Sequence, residues 1–221
     1  MVLDDYRSTG DKYLMPWAER FKGVEPNTLT WIAFLFAVLA GVCLTLSDRF
    51  SYPAIIFEDK KIYFLLFMAS TFIFTNGFFD AIDGKVARLT KKTSKRGDFL
   101  DHATDRYADI FILGGIMLSA YCNVLIGALA IIAVLLTSYM GTQAQAMGVG
   151  RDYSGILGRA DRLVILSVAP LVQLGVNYFY NDGRLPFLFD LSILEIIMIW
   201  FIIAGNATAI HRGIKSWKEL K

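Results

Sequence analysis

The stretch "DAIDGKVARLTKKTSKRGDFLDHATD", Asp80 to Asp105, holds five aspartates and six Lys or Arg residues. It nevertheless lies between two strongly apolar segments, "IYFLLFMASTFIFTNGFF" (62–79) and "ADIFILGGIMLSAY" (108–121). Asp80 and Asp83 stand at i, i+3 where the first segment ends, so on a helix they share a face; Asp98, Asp101, Asp105 and Asp109 recur at i, i+3, i+7 and i+11, a stripe along the start of the second. Two adjacent antiparallel helices bring both sets together. Like charges this close repel and are costly near lipid, so the cluster persists only if something positive neutralises it. Either a metal ion or the basic residues of the intervening loop supply that charge. Carboxylates without a His or Cys ligand favour a hard, oxygen-preferring ion, Mg²⁺ or Mn²⁺. His102 follows Asp101 directly, an offset that points it to another helix face, and it reads as structural.

The rest of the chain explains where that charge sits. Of its 221 residues 55% are hydrophobic and 14% aromatic, and the mean hydropathy of +0.48 is above that of a soluble domain. Six runs approach the roughly 20 residues needed to cross about 30 Å of hydrocarbon: Leu29–Leu46, Ile62–Phe79, Ala108–Tyr121, Val124–Thr142, Leu163–Tyr180 and Leu191–Ile210. The third is short and needs the Asp-bearing turns before it to reach full length. The expected fold is an all-α integral membrane domain over 1–221: a six-helix transmembrane bundle (26–221) preceded by an amphipathic interfacial helix (1–25). In that first part Leu14, Trp17, Ala18 and Phe21 fall at i, i+3, i+4 and i+7 with charged residues opposite, the pattern of a helix lying in the interface with its apolar side in lipid. It does not read as a cleavable signal. In "EPNTLT" Thr28 or Thr30 is available to cap the first span. Cys43 and Cys122 are too few for a disulfide framework or a metal site and read as packing residues.

Short cytoplasmic loops carry the excess of Lys and Arg. Of the 22 such residues, 17 fall on the side of the termini and of the second-to-third and fourth-to-fifth loops, four (Arg49, Lys60, Lys61, Arg184) fall on the other, and Arg106 lies inside a helix. The expectation is a multi-pass cell-membrane protein with both termini and the aspartate cluster cytoplasmic. Gly84, Ala87 and Gly97 let a ligand or a neighbouring helix approach the backbone closely, and Arg88 can hold a phosphate. Carboxylates, a divalent cation and an Arg around one cavity are what binding a diphosphate requires.

Asp80-x-x-Asp83-Gly84-x-x-Ala87-Arg88, eight residues, then Gly97-x-x-x-Asp101-x-x-x-Asp105 resembles the complete signature of the CDP-alcohol phosphotransferase family, with all eight positions present at the family's spacing. The resemblance implies transfer of a phosphatidyl-type group from a CDP-linked lipid, CDP-archaeol or CDP-diacylglycerol, to an alcohol, with release of CMP. It implies two divalent ions, Mg²⁺ or Mn²⁺, held by Asp80, Asp83, Asp101 and Asp105, and makes Asp105 the catalytic base that deprotonates the acceptor hydroxyl. CDP-lipid binding then falls to Asn27, Gly84, Ala87, Arg88, Gly97 and a loop hydroxyl, Ser94 or else Thr93. Asp98 and Asp109 lie outside the signature and read as a helix-start residue and a buried partner for a cation or hydroxyl. The resemblance also implies a homodimer among membrane lipids, with no nucleic-acid partner.

The fourth-to-fifth loop decides the acceptor. "SYMGTQAQAMGVGRDYSGILGRADRLVI" supplies Arg151, Arg159 and Arg162, whose guanidinium forks match phosphate oxygens, so a phosphorylated acceptor is expected rather than serine or a free polyol. This loop and "LDHATDRYAD" resemble the inositol-phosphate branch of the family, its archaeal members most, which implies myo-inositol 1-phosphate as acceptor. Bacterial members of the branch carry a Lys and an Arg where this chain has Gly141 and Gln143. Glycerol 3-phosphate is the alternative acceptor. An ion-coupled transporter, the rival from another class, would place its carboxylates near the bilayer midplane on broken helices.

Overall fold

In the computed structural model, residues 7–48, 52–53, 61–150, 154–180 and 182–220 are described. Seven α-helices carry the described chain: α1 (Arg7–Arg20), α2 (Pro26–Leu46), α3 (Phe64–Leu89), α4 (Lys95–Met117), α5 (Val124–Ala146), α6 (Arg159–Phe179) and α7 (Ile193–Glu219). Between α2 and α3 two residue pairs, β1 (Tyr52–Pro53) and β2 (Lys61–Ile62), meet antiparallel. Five helices, α2, α3, α5, α6 and α7, are long and apolar enough to cross a membrane; the chain is a multi-pass membrane protein. A sixth helix of comparable length, α4, has 23 residues, but its first half is the charged stretch "KRGDFLDHATDR". Hydropathy alone therefore finds only its second half.

Helix limits follow local chemistry. Pro26 opens α2 at a position where its missing N–H is no loss, and the α2 start carries no side-chain cap: Thr30, expected as a capping residue, donates to Asp83 instead. Ser94 caps α4, its Oγ accepting from Gly97 N at 3.0 Å, with Asp98 in the first turn where the helix dipole favours an acid. Asn123 and Ser192 cap α5 and α7 in the same way.

α2 packs on α3 and α4, α3 on α6, and α5 on α7, around one apolar core that includes Leu44, Leu66, Ile112, Leu166 and Phe201. Gly41 and Gly115 are what let α2 and α4 touch, because a Cβ on Gly41 would run into the Phe111 carbonyl and one on Gly115 into the Gly41 backbone. A smaller cluster, Ala18, Leu29, Ile82 and Val86, joins α1 to α2 and α3. Of the apolar face expected in lipid, Ala18 is fully buried and Leu14 and Phe21 pack on this cluster, with Phe21 edge-on to Phe79, while Trp17 stays exposed, as do Tyr13 and Met15. That face lies on the bundle because Phe78 and Phe79 of α3 offer it an aromatic shelf.

Candidate active site

The α3–α4 turn folds the signature back on itself. On α3, Asn76, Asp80 and Asp83 stand at i, i+4 and i+7, one face; on α4, Asp101, Asp105 and Asp109 do so at i, i+4 and i+8. With α2 and α6 these faces enclose a cleft lined by Thr30, Ala33, Phe34, Asn76, Asp80, Thr104, Asp105, Ala108 and Arg159. Asp83, Asp105 and Asp109 are buried, and Asp83 Oδ2 accepts from Thr30 Oγ1 at 2.7 Å.

Oxygens of Asp80, Asp83 and Asp101 lie within 4.8 Å of one another, and so do ligand atoms of Asp101, His102 and Asp105; the two groups share Asp101. An oxygen-dominated set of this kind fits a hard divalent cation. His102 lies beside these carboxylates. Its Nδ1 lies 3.6 Å from Asp101 Oδ2 and its Nε2 3.4 Å from Asp98 Oδ1, because an imidazole reaches across the angle that separates neighbouring residues on a helix.

Arg159 opens α6 and points into the cleft, its guanidinium 2.6 Å from Asp80 Oδ2 and 2.5 Å from Asp105 Oδ1. Arg106 stands 3.4 Å from Asp105 Oδ2 and 3.7 Å from Asp109 Oδ2, and donates to the Ser138 hydroxyl. Arg162, expected beside Arg159, is only 2% exposed and gives its Nη2 to Asp109 Oδ2 at 2.8 Å. One turn further along α6, it reaches Asp109 rather than Asp80 and Asp105, the partnership that the charge pattern had left open. Arg151 lies outside the described residues. The loop before Arg159 is fastened to α7: the amides of Ile156 and Leu157 donate to Thr208 Oγ1 at 3.2 and 3.1 Å, and Arg212 Nε donates to the Ser154 carbonyl at 2.8 Å.

At the mouth, Gly97 sits between Ser94 and Asn27: a Cβ there would stand 3.3 Å from Ser94 Oγ and 3.4 Å from Asn27 Oδ1. Arg88 is exposed and folds over Gly84, whose absent Cβ would lie 3.6 Å from Arg88 Nη1, with Ala87 half-buried beside it. The structure therefore gathers Asn27, Ser94 and Gly97, and separately Gly84 and Arg88, around the rim of the aspartate cluster. Thr30, Asn76, Thr104 and Arg106 belong to the site without having been singled out from sequence. Asn76 had a readable signal, a polar side chain inside an apolar run one turn before Asp80; Thr30 and Thr104 had none, since Thr is ordinary in such helices.

Residues 24–207 match the family model for CDP-alcohol phosphatidyltransferase. The archaetidylinositol phosphate synthase of Pyrococcus horikoshii is 33% identical over 157 residues, 70% of this chain and 74% of that protein. The protein of the same name from Methanothermobacter thermautotrophicus is 30% identical over 220 residues, all of this chain and 96% of that one. Among solved structures, the phosphatidylinositol phosphate synthase of Mycobacterium tuberculosis in complex with manganese and citrate superposes with a TM-score of 0.68 at 20% identity, over 92% of this chain and 88% of that one. The match spans the aspartate cluster and all four helices around the cleft: the chain belongs to the CDP-alcohol phosphatidyltransferase family and is a transferase.

Proposed function

We propose that this protein transfers the archaetidyl or phosphatidyl group of a CDP-linked lipid to myo-inositol 1-phosphate, releasing CMP, in phospholipid biosynthesis. The observation that carries this reading is the convergence of Asp80, Asp83, Asp101 and Asp105 with Arg159 in one cleft at a helix end. The relatives support it, two being archaetidylinositol phosphate synthases and a structural neighbour having been solved with CDP-DAG bound.

Asp80, Asp83, Asp101 and Asp105 would hold the divalent ions, Mg²⁺ or Mn²⁺, with His102 beside the second group. When bound, such ions supply Lewis-acid stabilisation of phosphoryl charge. The remaining work falls to the chain. Asn27, Gly84, Ala87, Arg88, Ser94 and Gly97 form the rim where the cytidine diphosphate part lies, with small residues at the positions of closest approach. Arg159 is the cleft's cation and takes the acceptor phosphate; Arg151 belongs to the same reading, whereas Arg162 serves by holding Asp109 and α4 in place. Asp105 Oδ1 or Oδ2 accepts the proton of the attacking hydroxyl. The deprotonated hydroxyl oxygen of the acceptor forms the new bond to the lipid-side phosphorus, the bond from that phosphorus to the CMP oxygen breaks, and CMP leaves with the electron pair.

α4 is the sixth span in this reading, both termini and the cleft face the cytoplasm, and the working unit is a homodimer. The single domain covers 1–221. One assay tests the central claim: purified protein, Mn²⁺ and a CDP-lipid, with CMP release compared across inositol 1-phosphate, glycerol 3-phosphate, free inositol and serine. Release is expected with inositol 1-phosphate alone. Release with glycerol 3-phosphate instead would move the acceptor, and none with any acceptor would remove the activity.

A further inference from the structure

Asn76 lies at the floor of the cleft, 1% exposed, in the middle of a membrane-spanning helix. Its Nδ2 donates to the Ala33 carbonyl of α2 at 2.8 Å, which fixes which end of the carboxamide faces which way. Its Oδ1 is left buried with no hydrogen-bond partner. A buried polar atom without a partner is destabilising, and this one sits in a cleft wall, one turn below Asp80.

The neighbouring groups say what it would bind. Thr30 gives its hydroxyl proton to Asp83 and Thr104 its proton to the Leu100 and Asp101 carbonyls, so neither hydroxyl has a proton left to donate into the cleft. Asp80 and Asp105 add carboxylates. Arg159 is the cleft's donor, and it is engaged with those two aspartates. A floor lined by acceptors rejects an anion and takes a group that donates.

We propose that Asn76 Oδ1 forms, with Asp80 and Asp105, a subsite for a hydroxyl-type donor: the O–H of a water carried in with the divalent cation, or the hydroxyl of the acceptor alcohol on its way to Asp105. Asn76 is then a positioning residue of the transfer reaction, and the assignment rests on the metal-dependent reading above. Two variants separate this role from the α2 contact. Asn76→Leu removes both the acceptor and the bond to Ala33; Asn76→Asp keeps an acceptor oxygen there, loses the bond to Ala33 and adds a carboxylate to the cluster.

Mn²⁺ affinity is measured by electron paramagnetic resonance without substrates, and the apparent KM values for acceptor and CDP-lipid at saturating Mn²⁺. Asn76→Leu is expected to weaken either Mn²⁺ binding (the water source) or the acceptor KM (the alcohol source) by tenfold or more, with the CDP-lipid KM within twofold of wild type. Asn76→Asp is expected to stay within threefold of wild type, or tighter, in both. Leu values all within twofold of wild type, or equal losses in Leu and Asp, would reduce Asn76 to a helix brace and overturn the proposal. If Asn76→Leu does not fold in detergent, the Asp variant decides alone, a loss beyond threefold overturning the proposal. Wild type that neither binds Mn²⁺ nor releases CMP would instead overturn the transferase reading itself.

Discussion

Arg159 and Arg162 are one helical turn apart and carry the same charge, yet burial and partners give them different work. Arg159 faces the cleft between Asp80 and Asp105; Arg162 is sealed against Asp109. A hydrogen bond to a charged group contributes about 1.5–3 kcal/mol, so Arg159→Ala is expected to raise the acceptor KM roughly 10- to 150-fold and to leave the CDP-lipid KM nearly unchanged. Arg162→Ala should act elsewhere, stranding a buried carboxylate and destabilising the fold by about 3–5 kcal/mol. Thermal unfolding in detergent reads that loss, and acceptor kinetics read the other. Asp105→Asn keeps shape but cannot take a proton, so kcat should fall about 10²- to 10⁴-fold, with CDP-lipid binding retained; wild-type turnover in that variant would remove Asp105 from the base role. The aspartates were legible because helical spacing alone places them on one face. Arg162 was not, since neither exposure nor the choice of partner is written in a loop sequence.

At the scale of elements, the site depends on where α6 begins. The segment 154–158 aims Arg159, and it is held by α7 through Thr208 and Arg212, some fifty residues further along the chain. Gly155 adopts φ +124°, and a Cβ there would collide with the Thr208 methyl, so loop and helix are fitted to each other. Thr208→Val keeps the shape and removes the acceptor for two amides. It is expected to raise the acceptor KM several-fold and lower thermal stability by about 1–3 kcal/mol, with Mn²⁺ affinity unaffected; weakened Mn²⁺ binding would mean the loop supports the whole cluster. Such long-range fastening leaves no periodic trace in the sequence. Helix limits were legible only in part for a related reason. Hydropathy finds apolar runs, but α3 continues ten residues beyond Phe79 to Leu89, and α4 starts at Lys95, thirteen residues before the apolar stretch at Ala108. The turns that hydropathy misses are the ones that carry the aspartate cluster, because carboxylates at this density and a hydrophobic signal cannot occupy the same turn.

On the scale of the whole molecule, the two ends of the bundle are built differently. The end with the aspartates is open, acidic and rimmed by Lys91, Lys92, Lys95 and Arg96; a cysteine introduced at Lys92 should react with a membrane-impermeant maleimide from the cytoplasmic side, and one at exposed Phe187 from the opposite side. Native Cys122 should not interfere, as burial with Glu195 nearby pushes its thiol up to about 12. The reverse labelling pattern would invert the topology. The far end, by contrast, is closed by a buried polar network centred on Gln173 of α6. Its Nε2 donates to Asn177 Oδ1 at 2.8 Å and to the Gly183 carbonyl at 2.7 Å, and its Oε1 accepts from Ile193 N at 2.9 Å; Asn177 in turn donates to Tyr121 OH at 2.6 Å. One side chain thus ties the end of α6, the 183–192 turn, the start of α7 and the α4–α5 turn. Gln173→Leu would leave several of those groups buried and unpaired, at about 1–3 kcal/mol each, and should lower the unfolding temperature well beyond any Thr208 effect. Because the network lies at the opposite end from Asp80 and Asp105, Mn²⁺ affinity and both KM values should stay near wild type in the folded fraction. Loss of Mn²⁺ binding in folded Gln173→Leu would mean that the closed end sets the geometry of the open one.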